Sequence, residues 1–255
     1  MKKLNPIVNS LLPLGLGVGA LALWEYTVRW REIPEWILPG PIQITRTFLD
    51  TLPLMGKHTL STMQECLAGF VLAILLAFIM AFLMEEISMV KKLLYPVIVI
   101  SQTVPIVSVA PLFIIWFGYG ILPKIIVVIL VCFFPITISF LSGLAAVDKE
   151  YLELFRSMKA TRLAMFRMVK LPLALPAFFS GLKISASYSV MGAVIGEWLG
   201  AKEGLGTYMT LSQHSFQVDR VFAAILAVTL LSMALFGVVS IIERVVIPWN
   251  RLPNR

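Results

Sequence analysis

The chain has 255 residues, of which 59% are hydrophobic and only 14% carry a charge, and its net charge is +7. A soluble domain of this length is nearer to roughly half apolar and a quarter charged, so the composition excludes that class and indicates a polytopic membrane protein. The basic residues lie mostly between apolar stretches and are not interleaved with aromatic residues. This pattern argues against a nucleic-acid partner and favours contact with a lipid bilayer.

Uncharged stretches of about 20 residues predict the membrane spans, because a helix of that length crosses roughly 30 Å of hydrocarbon. Six spans are expected, which makes the fold class all-α, with residues 1–255 forming a single transmembrane domain. A short helix over Ile42 to Leu52 is expected before the second span. The predicted spans are Leu4 to Trp24, Cys66 to Met84, Leu94 to Phe117, Ile125 to Val147, Leu171 to Gly196 and Val221 to Ile242.

The distribution of basic residues predicts the topology. If the amino terminus is inside, thirteen Lys and Arg residues fall in the inner segments and seven in the outer ones, with Lys183 inside the fifth span. The positive-inside rule then favours a multi-pass protein with both termini in the cytoplasm. The charged segment after the fourth span lies on the same side.

In the third span, Pro105 and Pro111 each remove a helix hydrogen bond. Two interpretations stay open: a kinked packing helix, or a segment that lines a translocation path. The fifth span is polar on part of its surface and carries a carboxylate at its external end, which lies either in the membrane interface or on the path. The candidate path residues are Gln102, Thr103, Ser108, Ser185, Tyr188, Ser189 and Glu197.

The fifth span also contains glycines at four-residue spacing, which places them on one helix face. Missing side chains on one face allow another helix to approach closely. Helix packing, including contact across a dimer axis, is therefore preferred over contact with a substrate. The glycines are Gly192, Gly196 and Gly200.

Residues 148–171 are the longest highly charged segment, and charge of this density cannot lie inside a bilayer. Apolar residues recur there every three or four positions, which predicts two short amphipathic helices joined at Lys159 to Thr161. Asp148 and Thr161 are the expected N-caps, and Pro172 is expected to end the second helix near Leu171. A charged hairpin between two spans is a docking surface.

This hairpin resembles the cytoplasmic motif of ABC-importer permeases, which reads Glu-Ala-Ala, three residues, Gly, nine residues, Ile-x-Leu-Pro. The spacing is met, but the alanine pair is replaced by Leu154-Phe155 and the glycine by Lys159. The matching positions are Glu153, Val169, Leu171 and Pro172. The stretches HTLST, QTVP, APLFIIWFGYGILPK and GEWLGAKEGLG are also similar to permeases of the nitrate, sulfonate and taurine branch.

The resemblance implies the type I six-span fold in a bacterial inner membrane. It also implies two ATPase subunits that carry ATP and Mg, a second permease copy in a homodimer, and an extracytoplasmic binding protein. In that family the hairpin is the coupling helix, which sits in a groove of the ATPase. The residues that would couple this chain to an ATPase are Glu153, Phe155, Met158, Lys159, Ala160, Leu163, Leu171 and Pro172.

Lys159 stands where the family glycine would follow a helix end in the left-handed conformation. A non-glycine residue in that conformation is penalised by roughly 1–2 kcal/mol. We therefore expect Lys159 to stay right-handed, with its ammonium near the negative end of the first helix.

No HExxH, GxSxG or P-loop pattern occurs, and Cys66 and Cys132 share no metal-binding spacing, so no catalytic residue, metal or cofactor is expected in this chain. The GEWLGAKEGLG, QTVP and FFPI stretches most resemble permeases for thiamine-pyrimidine precursors and riboflavin. Import of a sulfonate, taurine or nitrate is the alternative. An intramembrane enzyme or a passive channel is the alternative from another class, although a passive channel has no use for an ATPase dock.

Overall fold

The computed structural model describes residues 6–251, and within this range the chain forms helices and connecting turns without a strand. Apolar segments become helices because a helix satisfies its own backbone hydrogen bonds where water is absent. The elements in order are α1 (Pro6–Trp30), α2 (Pro41–Glu86), α3 (Ser88–Ser101), α4 (Ile106–Phe117), α5 (Ile121–Ala145), α6 (Lys149–Ser157), α7 (Arg162–Met165), a π-helical segment (Phe166–Lys170), α8 (Leu171–Glu197), α9 (Leu205–His214), α10 (Val218–Val246) and a 3₁₀ turn (Pro248–Arg251).

Several helices are long and apolar enough to cross a membrane. Among the described residues they are α2, α5, the continuous helix from Arg162 to Glu197, and α10, with the bent pair α3 and α4 as a fifth span. The first predicted span falls on the 25-residue α1, although its predicted start at Leu4 lies outside the described residues. The all-α membrane fold class is confirmed.

α2 differs from the prediction because it is one helix of 46 residues that includes the expected short helix, the expected loop and the second span. Pro53 lies inside it and does not end it. A proline removes a single backbone hydrogen bond, and tertiary packing outweighs this loss. The packing is visible at Met55, which is buried against Leu205 and Tyr208 of α9.

The third predicted span is broken rather than merely kinked. α3 and α4 meet at an angle of 102°, and residues 102–105 between them form a turn in which Thr103 N–H donates to the carbonyl of Ile100. Pro105 is the extended residue that precedes α4. The break follows because the residue before a proline is disfavoured in the helical conformation.

The core lies where α5 packs between α2 and α8. Small buried residues line this contact and allow the helices to lie close together, whereas three aromatic rings fill the wider space between them. The ring centroids of Phe78 and Phe140 are 5.3 Å apart, and those of Phe140 and Phe178 are 4.9 Å apart. The small core residues are Cys66, Ala73, Ala77, Cys132, Ala186 and Ala193.

The charged hairpin is formed by α6 and α7, but its second helix does not end near Leu171 as expected. The chain continues through the π-helical segment into α8 without leaving the helical conformation. In this segment Leu171 N–H donates to the carbonyl of Phe166, five residues back. Pro172 then lies in the first turn of α8, and we attribute the missing break to the wider π turn, which changes the hydrogen-bond register just before the proline.

Candidate functional site

The outer face of the hairpin is apolar and uncovered. Tyr151 and Leu154 lie three residues apart on α6 and are 52% and 56% exposed. Met158, directly after the end of α6, is 70% exposed, and Leu163 at the start of α7 is 63% exposed. We call these four residues, together with the exposed carboxylate of Glu153, the hairpin surface. Apolar side chains grouped at such a site indicate a surface that another molecule covers.

The expectation for Lys159 is wrong, because its φ is +58°. Lys159 N–H donates to the carbonyl of Arg156, and Ala160 N–H donates to the carbonyl of Phe155. These two bonds define a Schellman motif, which requires a left-handed residue after the helix end. The two bonds satisfy carbonyls that would otherwise lack partners, and this outweighs the strain of a residue with a Cβ atom.

The two expected N-caps differ in the structure. Thr161 caps α7, since its hydroxyl accepts a hydrogen bond of 3.2 Å from Ala164 N–H. Asp148 precedes α6 in an extended conformation but makes no side-chain capping bond. The turn between the helices is therefore held by the Schellman motif on one side and by the threonine cap on the other.

The remaining predicted coupling residues have different exposures. Phe155, Ala160, Leu171 and Pro172 are half-buried, whereas Lys159 is exposed. Tyr151 and Leu154 were not predicted to be coupling residues, although the three- and four-residue spacing of apolar side chains on α6 was the signal that identifies them. The assignment of the predicted set to ATPase contact stays a prediction.

Two contacts join the π-helical segment to the end of α2. The rings of Phe166 and Phe82 pack edge to face with centroids 4.8 Å apart. Lys170 Nζ lies 2.5 Å from Glu85 Oε1, and both side chains are less than one-fifth exposed. The sequence patterns do not reveal Glu85, because it lies at the end of a predicted span where a carboxylate is unremarkable.

A buried polar cluster lies at the opposite end of the bundle from the hairpin. Lys124, at the start of α5, forms an ion pair with Glu65 of α2. Glu197, at the end of α8, accepts hydrogen bonds of 2.6 Å from the hydroxyl of Thr62 and from Gly206 N–H. The carboxyl groups of Glu65 and Glu197 are 2% and 1% exposed, so α2, α5, α8 and α9 contribute polar groups to one enclosed site.

This cluster holds the amino-terminal end of α9. Leu205 N–H donates to the Thr62 hydroxyl at 2.8 Å, and Gly204 N–H donates to Nδ1 of His58 at 3.1 Å. The first N–H groups of a helix have no partner within the helix and carry a partial positive charge. The Glu197 carboxylate and the α2 side chains satisfy them, which fixes α9 against the bundle.

Three of the predicted path residues are buried inside the bundle. Ser185 donates to the carbonyl of Cys132 at 3.0 Å, Ser189 donates to that of Ala186 at 2.8 Å, and both serines are fully buried. Glu197 is equally enclosed, in the cluster described above. Ser185, Ser189 and Glu197 are thus enclosed in this structure, and their role as path-lining residues stays a prediction.

The other predicted path residues remain accessible. Gln102 and Thr103 are exposed at the break between α3 and α4, and Ser108 is exposed in the first turn of α4. Tyr188 is 44% exposed on α8. Their role as path-lining residues stays a prediction.

The glycines of the fifth span differ from one another. Gly192 and Gly196 face α5, and a Cβ atom there would lie 3.2 Å from Val128 Cα and 3.1 Å from Lys124 Cα, respectively. Gly200 lies beyond the end of α8 in a turn with φ of +117°, so it does not share their helix face. The close contact is thus within one chain, and these glycines do not require a dimer axis.

A charged hairpin outside a bundle of apolar spans is the arrangement of a membrane permease. The family model described as "Binding-protein-dependent transport system inner membrane component" matches residues 70–248, which include the core helices, the hairpin and α9. The chain belongs to this family of inner-membrane transport components.

Curated relatives and a solved structure agree with this assignment. The chain is 37% identical over 232 residues to the formylaminopyrimidine transport permease ThiX of Halalkalibacterium halodurans, covering 91% of this chain and 92% of the relative. It is 32% identical to the riboflavin transport permease RibX of Chloroflexus aurantiacus, covering 97% and 96%. An inward-facing structure of the MetNI methionine ABC transporter matches 82% of this chain and 98% of its own, with 19% identity and a TM-score of 0.57, which shows the type I permease fold.

Proposed function

We propose that this chain imports a small heterocyclic vitamin precursor as the permease subunit of an ATP-driven transporter, and that an ATPase subunit covers the hairpin surface. The observation that carries this proposal is the uncovered apolar face of α6, outside the spans of a chain that belongs to a transport family. ATP and Mg belong to the ATPase, since this sequence contains no P-loop. The assembly contains two ATPase subunits, two copies of this chain and an extracytoplasmic binding protein.

The proposed orientation places the hairpin and both termini in the cytoplasm, with the buried polar cluster at the extracytoplasmic end. The excess of basic residues on the hairpin side supports this orientation. ATP-driven closure of the ATPases pushes on the two hairpins, and the permease pair alternates between inward and outward openings. The exposed groups at Gln102, Thr103, Ser108 and Tyr188 face the route between the copies.

The cargo class is a formylaminopyrimidine or a flavin. Relatives named for formylaminopyrimidine and riboflavin transport share 37% and 32% of their residues with this chain over nearly its full length. Both cargoes are planar, nitrogen-rich heterocycles with several hydrogen-bonding groups. An exposed tyrosine, hydroxyls and an amide along the proposed route suit such molecules, because aromatic rings stack and the polar groups exchange hydrogen bonds.

The test reconstitutes this chain with its cognate ATPase and binding protein in liposomes. The purified binding protein is first titrated with a formylaminopyrimidine, riboflavin and taurine. Uptake of the ligand that binds most tightly is then measured with and without ATP. We expect ATP-dependent uptake of one of the two heterocycles; uptake of taurine instead would overturn the cargo assignment, and ATP-independent uptake would overturn the transport mechanism.

A further inference from the structure

The junction between the hairpin and the bundle contains the π-helical segment, and both ends of that segment contact α2. Phe166 is its first residue and packs on Phe82, and Lys170 is its last residue and pairs with Glu85. Segments of π-helix are rare and concentrate at functional sites. Here the unusual backbone coincides with the two side-chain contacts that tie the hairpin to another helix.

The partner of these contacts leads to the broken span. Glu85 lies in the last turn of α2, and Ile87 is an extended residue that turns the chain into α3. α3 then runs to the break at residues 102–105, where Gln102 and Thr103 are exposed. A displacement of the end of α2 therefore reaches the start of α3 through a single connecting residue.

The hairpin is thus joined to the bundle in two ways. One is covalent, because residues 146–148 connect α5 to α6, and because α7, the π-helical segment and α8 form one continuous helix. The other passes through side chains to α2 and from there to α3. The second connection depends on side-chain contacts, so substitutions can disrupt it without breaking a helix.

The ion pair at this junction is largely shielded from water, which favours a fixed position of its two side chains. An exposed ion pair contributes little, because water screens it and its long side chains are mobile. The Lys170 and Glu85 side chains are only 19% and 13% exposed, and Phe166, four residues before Lys170, is buried. Among the described residues, the other ion pairs between helices join α5 to α2 at the opposite end and α8 to α10 through Lys183 and Glu243. Neither of those pairs involves the hairpin or the π-helical segment.

We propose that Glu85 and Lys170 are positioning residues that make α2 and α3 follow the hairpin when it is displaced. This inference rests on the proposed function, because the displacement is the one that an ATPase imposes. The pair contacts neither ATP nor the cargo. Its role is to couple ATP hydrolysis to the movement of the broken span.

The experiment uses the reconstituted complex with charge-reversal variants. Glu85→Lys and Lys170→Glu each place like charges together, and the double variant restores an ion pair with opposite polarity. The matched control is the same exchange at another interhelical pair, Lys183→Glu with Glu243→Lys. Four quantities are measured in each variant: uptake, ATP hydrolysis with and without binding protein, unfolding temperature, and oxidative disulfide crosslinking of Leu154→Cys to a cysteine introduced in the ATPase.

We expect each single reversal at the junction to lower the number of molecules imported per ATP by about fivefold or more, within the range typical of coupling between two sites. The double reversal should recover most of that ratio, because it restores the attraction between α2 and the π-helical segment. Crosslinking of Leu154→Cys should be retained in all junction variants. At the Lys183 and Glu243 control, single reversals should change the unfolding temperature without changing the ratio of transport to hydrolysis.

Three results would contradict this inference. Single reversals that retain the wild-type ratio while the hairpin still crosslinks to the ATPase would remove Glu85 and Lys170 from coupling and leave the docking proposal intact. A double reversal that does not recover the ratio of transport to hydrolysis would show that the contact between Glu85 and Lys170 does not act through charge. A Leu154→Cys variant that never crosslinks in the otherwise wild-type complex would instead contradict the proposed function itself.

Discussion

The two ends of the bundle handle polar and apolar groups in opposite ways. At the hairpin end, Tyr151, Leu154 and Met158 are exposed although they are apolar. At the opposite end, Glu65 and Glu197 are buried although they are carboxylates, and the chain's own groups satisfy most of their oxygens. The hairpin end exposes the surface that the proposed ATPase would cover, whereas the polar cluster at the opposite end is enclosed by helices of this chain. Substitutions at the first end should therefore affect function in the assembly, and substitutions at the second should affect the stability of the isolated chain.

The largest effect on transport is expected for Glu153→Lys on the hairpin surface. This residue is exposed, so the isolated permease should insert and unfold as the wild type does. Reversal of a charge within an interface commonly reduces the binding affinity tenfold or more. For a residue that carries much of the binding energy, the loss of binding free energy is roughly 2 kcal/mol. ATP-dependent uptake in liposomes should fall accordingly. Normal uptake in this variant would remove Glu153 from the hairpin surface.

Glu197→Ala should be the most destabilising single change at the opposite end. It leaves Gly206 N–H without its acceptor, removes the bond from the Thr62 hydroxyl to the carboxylate, and places Lys124 near one carboxylate instead of two. An unsatisfied buried group costs about 1–3 kcal/mol and a charge-assisted bond is lost as well, so a loss of roughly 3 kcal/mol is expected. Thermal unfolding of the isolated chain in detergent measures this loss. The matched control is Glu203→Ala, an exposed carboxylate in the same connection, which should leave the unfolding temperature nearly unchanged.

Gly196→Leu should have an intermediate effect, because a Cβ atom there would already lie 3.1 Å from Lys124 Cα. Overpacking of this kind typically costs about 1–3 kcal/mol. The loss should appear in the isolated chain, since the contact is with α5 of the same molecule. Gly237→Leu is the matched control, because nothing lies within 4 Å of a Cβ atom at that position of α10. Equal stability of the two variants would show that Gly196 does not pack closely.

The smallest effect is expected for Lys159→Gly, which should stabilise the hairpin. The left-handed φ of +58° penalises lysine, whereas glycine adopts it freely. Glycine also has greater entropy in the unfolded chain, which lowers the benefit. The free energy of unfolding should therefore rise by about 1 kcal/mol. Hydrogen exchange of the Ala160 amide, which donates to Phe155, should slow by about fivefold. Ser157→Gly, within the right-handed part of α6, should have the opposite sign.

The sequence predicts the spans better than the connections between them. Lengths of uncharged sequence locate α5, α8 and α10 to within a few residues, because hydrocarbon thickness leaves little choice. Proline is the less reliable signal. It breaks the third span at Pro105, is tolerated at Pro53, and follows a π turn at Pro172. The outcome at each proline depends on tertiary packing, which a single sequence does not contain.

The candidate sites show the same division. The spacing of apolar residues predicts the hairpin and its threonine cap, since both are determined by neighbours in the sequence. The polar cluster depends on residues such as Thr62 and Glu197 that are 135 positions apart, and no local pattern joins them. For the same reason the sequence does not predict the burial of Ser185 and Ser189 against the neighbouring helix. Polarity predicts that a side chain needs a hydrogen-bond partner, but it does not predict whether that partner is water or a carbonyl of the next helix.

The unbroken length of α2 has a further consequence for how the two ends communicate. At 1.5 Å per residue, its 46 residues extend about 69 Å, more than twice the roughly 30 Å of hydrocarbon in a bilayer. In a helix of this length, a small tilt about one end gives a large displacement of the other end. If Glu85 at one end is the fulcrum, a tilt of about 5° moves the Pro41 end by about 6 Å, as simple geometry applied to that length requires. The polar groups of α2 that hold α9 lie on the same helix, so in the proposed coupling a small rotation at the hairpin end would become a larger displacement at the opposite end of α2.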